Sequence, residues 1–208
     1  ISQIRNIMEF TNKNVFELSE FGLEPEDCLN LRKKPSMPPI IIDLRSPEDY
    51  AAEHLIGAHS LPAMYLKDYI QQLPPYATII LYGEDDDSKT GESIKLLRDN
   101  NFSDLKYVKG GYSKLIEALK NTKDEVFLKD FPEEEWSEKI EHVLNEQVRP
   151  ALAADGGGLT LERIEGDKVF INYQGACSGC PSSTTGTLNF IRNSLSVSLN
   201  HEIEVVIA

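Results

Sequence analysis

Three short apolar runs, at residues 40–44, 78–82 and 105–108, alternate with segments of helix length, and few architectures accept that order. The runs have strand length, and Ile40-Ile41-Ile42 is the purest of them. Each is followed by a helix signal. Pro47-Glu48-Asp49 suits a first helical turn, because Pro lacks only an orphan N–H there and acids favour the positive end of the dipole. Residues 88–99 carry Ile94, Leu96 and Leu97 on a partial apolar face. Gly110-Gly111 turns the chain into a third helix bearing Leu115, Ile116 and Leu119. Strands alternating with helices require an α/β domain, a parallel sheet flanked by helices.

Upstream, residues 1–37 stay unassigned. Ile4, Ile7, Met8 and Phe10 hint at a short helix, and Lys33-Lys34-Pro35 and Pro38-Pro39 mark a break before the first strand. The first residue is Ile1, which fits a fragment or a processed product. Downstream, residues 121–133 are charged, lack a sustained period and read as a linker after the first domain at 38–120. A second unit, at 134–208, follows. Ile140, Val143, Leu144, Val148 and Leu152 share one helical face, which Pro150 should kink or end locally. Asp155-Gly156-Gly157 then stops the helix, so Asp155 reads as a structural residue. Leu159 and Leu161 alternate on one strand, and Val169, Ile171 and Tyr173 on the next. Glu165-Gly166-Asp167 between them fits a hairpin turn. Pro181 can open a helix with Leu188, Ile191 and Leu195 inward, and Ile203, Val205 and Ile207 form a last strand. The result is a small α+β unit.

Charge excludes two classes of partner. The net charge is −13 and both halves are acidic, so neither nucleic acid nor an anionic membrane surface is expected to bind. No apolar run reaches membrane-spanning length. Three cysteines, Cys28, Cys177 and Cys180, make a poor disulfide framework. A reducing compartment is expected: the cytoplasm, or an organelle matrix if a presequence has been removed.

The pair lies in Gly175-Ala176-Cys177-Ser178-Gly179-Cys180-Pro181. Two intervening residues let both sulfurs face one space, and Ser178 and Gly179 leave room for a bulky inorganic ligand. A helix starting at Pro181 would put Cys180 near free N–H groups that favour thiolate. Thiolate pairs of this spacing serve iron–sulfur clusters, zinc or thiol–disulfide exchange, and the residues alone leave these open. A cubane takes four thiolates, so this motif would supply half of one, and two chains about a two-fold axis would complete it.

Val148-Arg149-Pro150, Ala154-Asp155-Gly156-Gly157, Gln174-Gly175-Ala176-Cys177 and Cys180-Pro181-Ser182-Ser183 occur in one order and spacing. On these motifs residues 143–206 resemble the NifU C-terminal domain family; a third glycine, Gly158, is the one departure. The resemblance implies that Cys177 and Cys180 bind a [4Fe–4S] cluster shared between two chains. It also implies a homodimer when loaded, and delivery to apo iron–sulfur proteins together with cluster-assembly factors. On this reading the chain is a carrier and no enzyme.

Ile42-Asp43-Leu44-Arg45, Glu48-Asp49-Tyr50, His54-Leu55-Ile56-Gly57-Ala58, Leu61-Pro62 and Lys109-Gly110-Gly111 give residues 40–119 a resemblance to rhodanese-like domains. That family carries sulfur as a persulfide on a cysteine directly after the strand read at 78–82. Here Gly83 stands at that position, and Glu84-Asp85-Asp86-Asp87 follow. The resemblance therefore implies a sulfurtransferase shape without its nucleophile. The acids would repel thiosulfate, and their run lacks calcium-loop spacing. His54 and His59 read as framework residues, and Cys28 as an ordinary thiol.

Overall fold

The computed structural model describes residues 16–34, 37–85, 88–175 and 181–208. The helix expected near Ile4–Phe10 lies outside them.

The first unit is a five-stranded, wholly parallel sheet. Its strands are β1 (Gly22–Leu23), β2 (Ile40–Asp43), β3 (Ala58–Ser60), β4 (Ile79–Tyr82) and β5 (Leu105–Val108), in the order β1-β5-β4-β2-β3. Helix α1 (Pro25–Arg32) and α5 (Gly111–Asn121) cover one face; α4 (Ser88–Asp99) and the single turn α3 (Leu66–Tyr69) cover the other. Because both faces are covered, the central strands carry apolar residues at consecutive positions, as in Ile40-Ile41-Ile42 and Ile79-Ile80-Leu81, rather than only at alternate ones. Ile41, Ile80, Tyr82 and Val108 face α1 and α5. Ile42, Ile79, Leu81 and Leu105 face α4. Ile79, Ile80 and Leu81 are wholly buried, each contributing about 1.5–3 kcal/mol of transfer free energy.

The helix expected at Pro47 is α2 (Pro47–Ala52). Ser46 caps it, accepting from the Asp49 amide at 3.1 Å and donating to the Asp49 carboxylate at 2.7 Å. Two strands escaped the sequence reading. β1 and β3 are edge strands of two and three residues, too short to show a period.

The second unit holds α6 (Glu133–Val143), α7 (Arg149–Ala154), β6 (Gly157–Glu165), β7 (Lys168–Gly175), α8 (Pro181–Leu199) and β8 (Glu204–Ile207). The sheet order is β6-β7-β8, with β6 antiparallel and β8 parallel to β7. Gly166, at φ +58°, makes the expected hairpin turn. Ile140, Val143, Leu144, Val148 and Leu152 are all buried, packed with Ile191 and Leu195 of α8. Pro150 interrupts the helix by widening it. Residues Leu144–Val148 form a π turn in which the Arg149 amide donates to the Leu144 carbonyl. The wider turn accommodates a ring that would strike the carbonyl four residues back, so helical rotation resumes directly in α7.

The connecting segment is packed. Val126 and Leu128 join the second core, while Phe127 packs against the first. Adjacent side chains thus insert into different units.

Candidate functional site

The Cys177–Cys180 segment lies outside the described residues; its frame does not. β7 ends at Gly175 and α8 begins at Pro181, with five residues between them in the sequence. Gly175 has φ +67°, and pairs with Gly157 across the hairpin. A Cβ on Gly175 would sit 2.5 Å from the Gly156 carbonyl oxygen. The Asp155-Gly156 turn therefore presses directly on the backbone at the end of β7. Asp155 itself is exposed, at the C-terminal end of α7. Arg149 braces the same corner: its Nε donates to the Leu159 carbonyl (3.3 Å), and Nη1 to Glu141 (2.5 Å) and Asn145 (2.7 Å). Ile191, Leu195 and Leu199 anchor α8 in the core. The first-turn N–H groups of this 19-residue helix, which have no partner within the helix itself, stand at the far end of the cysteine segment in the sequence.

Cys28 is far from this frame. It is wholly buried in the first unit's core, and burial pushes its thiol up to about 12. A thiol so protonated is a poor ligand and a poor nucleophile.

The loop after β4 faces the start of α5. Tyr112 donates its amide to the Gly83 carbonyl at 2.9 Å. Ser113 donates from its amide (3.2 Å) and hydroxyl (2.9 Å) to the Asp85 carboxylate. A Cβ on Gly111 would collide with the Glu84 carbonyl, and one on Gly83 would come within 2.7 Å of the Thr90 hydroxyl. The acidic loop is thus laid down on the helix by its own carboxylate; Asp86 and Asp87 lie outside the described residues. Beside it Arg45 is held in a buried ion pair with Asp43 (2.7 Å) and lies 3.5 Å from the Tyr112 ring centroid. The Tyr112 hydroxyl donates to Glu53 at 2.7 Å, which holds the Glu53 carboxyl below its usual value.

A second cluster, at the junction of the units, was invisible in the sequence. Arg32 donates Nη1 to the Ile56 carbonyl (3.1 Å) and the Asn200 side chain (3.2 Å), and Nη2 to Glu125 (3.1 Å). Lys33 reaches the other Glu125 oxygen at 2.7 Å. Asn200, at φ +45°, donates to Glu125 and to the Val126 carbonyl. Helix α1, the connector and the residue after α8 are tied together. Charged residues at a helix end and in a linker ordinarily read as solvated, so no local signal marks them.

His54 crosses the same boundary. It stacks on Tyr50, contacts the Tyr50 carbonyl at 2.8 Å through Nδ1, and meets Glu202 at 3.3 Å through Nε2. The Glu202 bond is the largest cause raising His54 above 6.5, and the same bond lowers Glu202. Asp43 acts on His54 in the same direction, and Arg192 and His201 act on Glu202. A raised histidine stabilises at low pH and loses that contribution as pH rises through its folded value. A lowered carboxylate loses its own as pH falls. The pair is complete only between the two. Glu202 is 65 % exposed, so Glu202→Gln should cost no more than about 1 kcal/mol at pH 6. Urea unfolding should find that difference gone by pH 8.5. His59 is exposed on β3.

Residues 140–206 match the NifU-like domain family, and residues 24–118 match the Rhodanese-like domain family. Curated relatives align with the second unit. A nitrogen fixation protein NifU of Anabaena sp. (strain L31) is 56 % identical over 45 residues, 22 % of this chain and 40 % of that protein. NifU-like protein 2, chloroplastic, of Arabidopsis thaliana is 51 % identical over 47 residues, 23 % of this chain and 20 % of its own length. The NFU1 iron-sulfur cluster scaffold homolog, mitochondrial, of Drosophila willistoni is 30 % identical over 81 residues, covering 39 % and 27 %. The chain thus spans 40 % or less of the length of these relatives. Among solved structures, the Alr3790 protein from Anabaena sp. is 27 % identical over 46 % of this chain and 76 % of its own, with TM-score 0.41. Among the described residues, no helix is long and apolar enough to cross a membrane.

Proposed function

We propose that this chain, a rhodanese-like domain at residues 24–118 followed by a NifU-like domain at residues 140–206, is an iron–sulfur cluster scaffold. Its cargo is a [4Fe–4S] cluster held by Cys177 and Cys180 of two copies and released to apo iron–sulfur proteins. The observation that supports this reading is the NifU-like match over residues 140–206, a span that contains the Cys177 and Cys180 pair in the sequence between the end of β7 and the start of α8. The donor chemistry fits. Two thiolates per chain are half of what a cubane takes, and Cys28, enclosed in the other unit's core, cannot supply a third. Among the described residues no other group of three or more His, Cys, Asp or Glu is placed to hold a metal. A cluster shared at a two-fold interface leaves an approach for the recipient's cysteines, which suits release better than storage. The rhodanese-like domain then serves as a binding platform. Gly83 stands where the persulfide cysteine would be, and Asp85 caps the loop, so no thiosulfate turnover is expected.

Reconstitution with ferrous iron and sulfide under anaerobic conditions tests the reading. About two iron and two sulfide per chain, with a brown dimer on gel filtration, are expected. Cys177→Ser should abolish incorporation, and Cys28→Ala should not. A monomer taking up neither iron nor sulfide would overturn it. A colourless dimer with stoichiometric zinc, or robust disulfide reductase turnover, would replace it with a zinc-bridged dimer or a thiol oxidoreductase.

A further inference from the structure

A cleft of about 360 Å³ lies between the two units. The first unit contributes Arg32, Lys33, Lys34, the Pro38–Ile41 stretch, Gly57 and His59; the second contributes Gln147 and one face of α8. This protein has 34 acidic residues against 21 basic ones, yet among the described residues the cleft is lined by three cations and no carboxylate. Glu125, paired with Arg32 and Lys33, belongs to the junction and leaves the lining with a positive excess at Lys34. The lining mixes two types of group. Asn193, Ser194 and Ser198 bring amide and hydroxyl groups, while Phe190, Val197, Pro38, Pro39 and Ile40 bring apolar ones.

We infer that this cleft binds a compact organic anion, with its phosphate or carboxylate at Lys34 and the Asn193 side-chain amide and its apolar body against Phe190 and Val197. The volume is at the small end of the about 300–1,000 Å³ usual for ligand pockets, and pockets favour domain boundaries. An inorganic anion would leave the apolar groups wet, and a neutral aromatic would leave the cations unanswered. The site is formed jointly by both domains and is independent of the cysteine loop, so it stands or falls apart from cluster binding.

Isothermal titration of the full chain with phenyl phosphate and with benzoate tests it. At least one should bind with Kd of about 1 mM or below, within reach of so small a ligand. Inorganic phosphate and benzyl alcohol should each bind at least tenfold more weakly. Lys34→Glu, at an exposed position, should weaken binding at least tenfold. Asn193→Trp, which fills the cleft from the exposed side of α8, should abolish it, and Lys67→Glu outside the cleft should change nothing. Binding no tighter than that of inorganic phosphate would overturn the proposal. So would equal binding by the wild type and the Lys34→Glu and Asn193→Trp variants.

Discussion

Replacing Arg32 with Ala should destabilise the protein by about 3–5 kcal/mol and split its thermal unfolding into two calorimetric transitions. The Arg32 and Glu125 side chains are each only 2 % exposed, so the pair is removed from water on both sides. Deleting the guanidinium leaves the Ile56 carbonyl and the Asn200 amide oxygen without this donor, and leaves Glu125 Oε2 with Asn200 in place of two donors. Lys33 still neutralises Glu125 in part, which places the cost below that of a fully isolated buried carboxylate. The double variant Arg32→Met with Glu125→Leu separates the causes. Removing both charges for apolar groups of similar reach should restore much of the loss, because the penalty lies in the orphaned charge more than in the lost attraction. A single cooperative transition in Arg32→Ala, with stability within about 1 kcal/mol of the wild type, would mean that Phe127 and Val126 alone couple the units.

Gly175→Ala should cut iron and sulfide incorporation at least fivefold while leaving a folded protein. Two independent costs meet at that residue. Its φ of +67° costs an L side chain about 1–2 kcal/mol. The added methyl would also lie 2.5 Å from the Gly156 carbonyl oxygen, a backbone atom that cannot rotate aside. The strain is relieved by moving the strand end or the Asp155-Gly156 turn, and Cys177 lies two residues beyond that strand end in the sequence. Gly166→Ala is the control. Its φ of +58° carries the same conformational cost, but nothing lies within 4 Å of the added Cβ and the hairpin turn is remote from the Gly175 end of β7. Equal loading of Gly175→Ala and Gly166→Ala, beside a wild type that loads fully, would show that this contact does not position the cysteines.

The helices and the inner strands were legible because their signals are local. Ile40-Ile41-Ile42 announces a strand buried on both faces, and the Ile140–Leu152 spacing announces a helix face; both need only a window of a few residues. The frame of the candidate site was legible for the same reason. Alternation around Gly166 makes the hairpin, Pro181 opens the helix, and the cysteines fall between them. β1 and β3 were not legible, since strands of two and three residues exist only because β5 and β2 offer them an edge. The response to Pro150 was half legible: an interruption is written in the residue, but whether the helix ends or widens depends on the core holding Leu144 and Val148 in place.

By itself, the order of residues determined the fold classes of the two units and the strand and helix that flank the paired thiols. Each of these follows from backbone periodicity and turn chemistry acting over short range. Only the tertiary structure decided how the units join. Arg32 meets Glu125 across 93 positions and Asn200 across 168, and no periodicity extends that far. The same packing enclosed Cys28 away from solvent and left a cationic cleft in an acidic protein, because burial and summed charge belong to the assembled chain rather than to any segment of it.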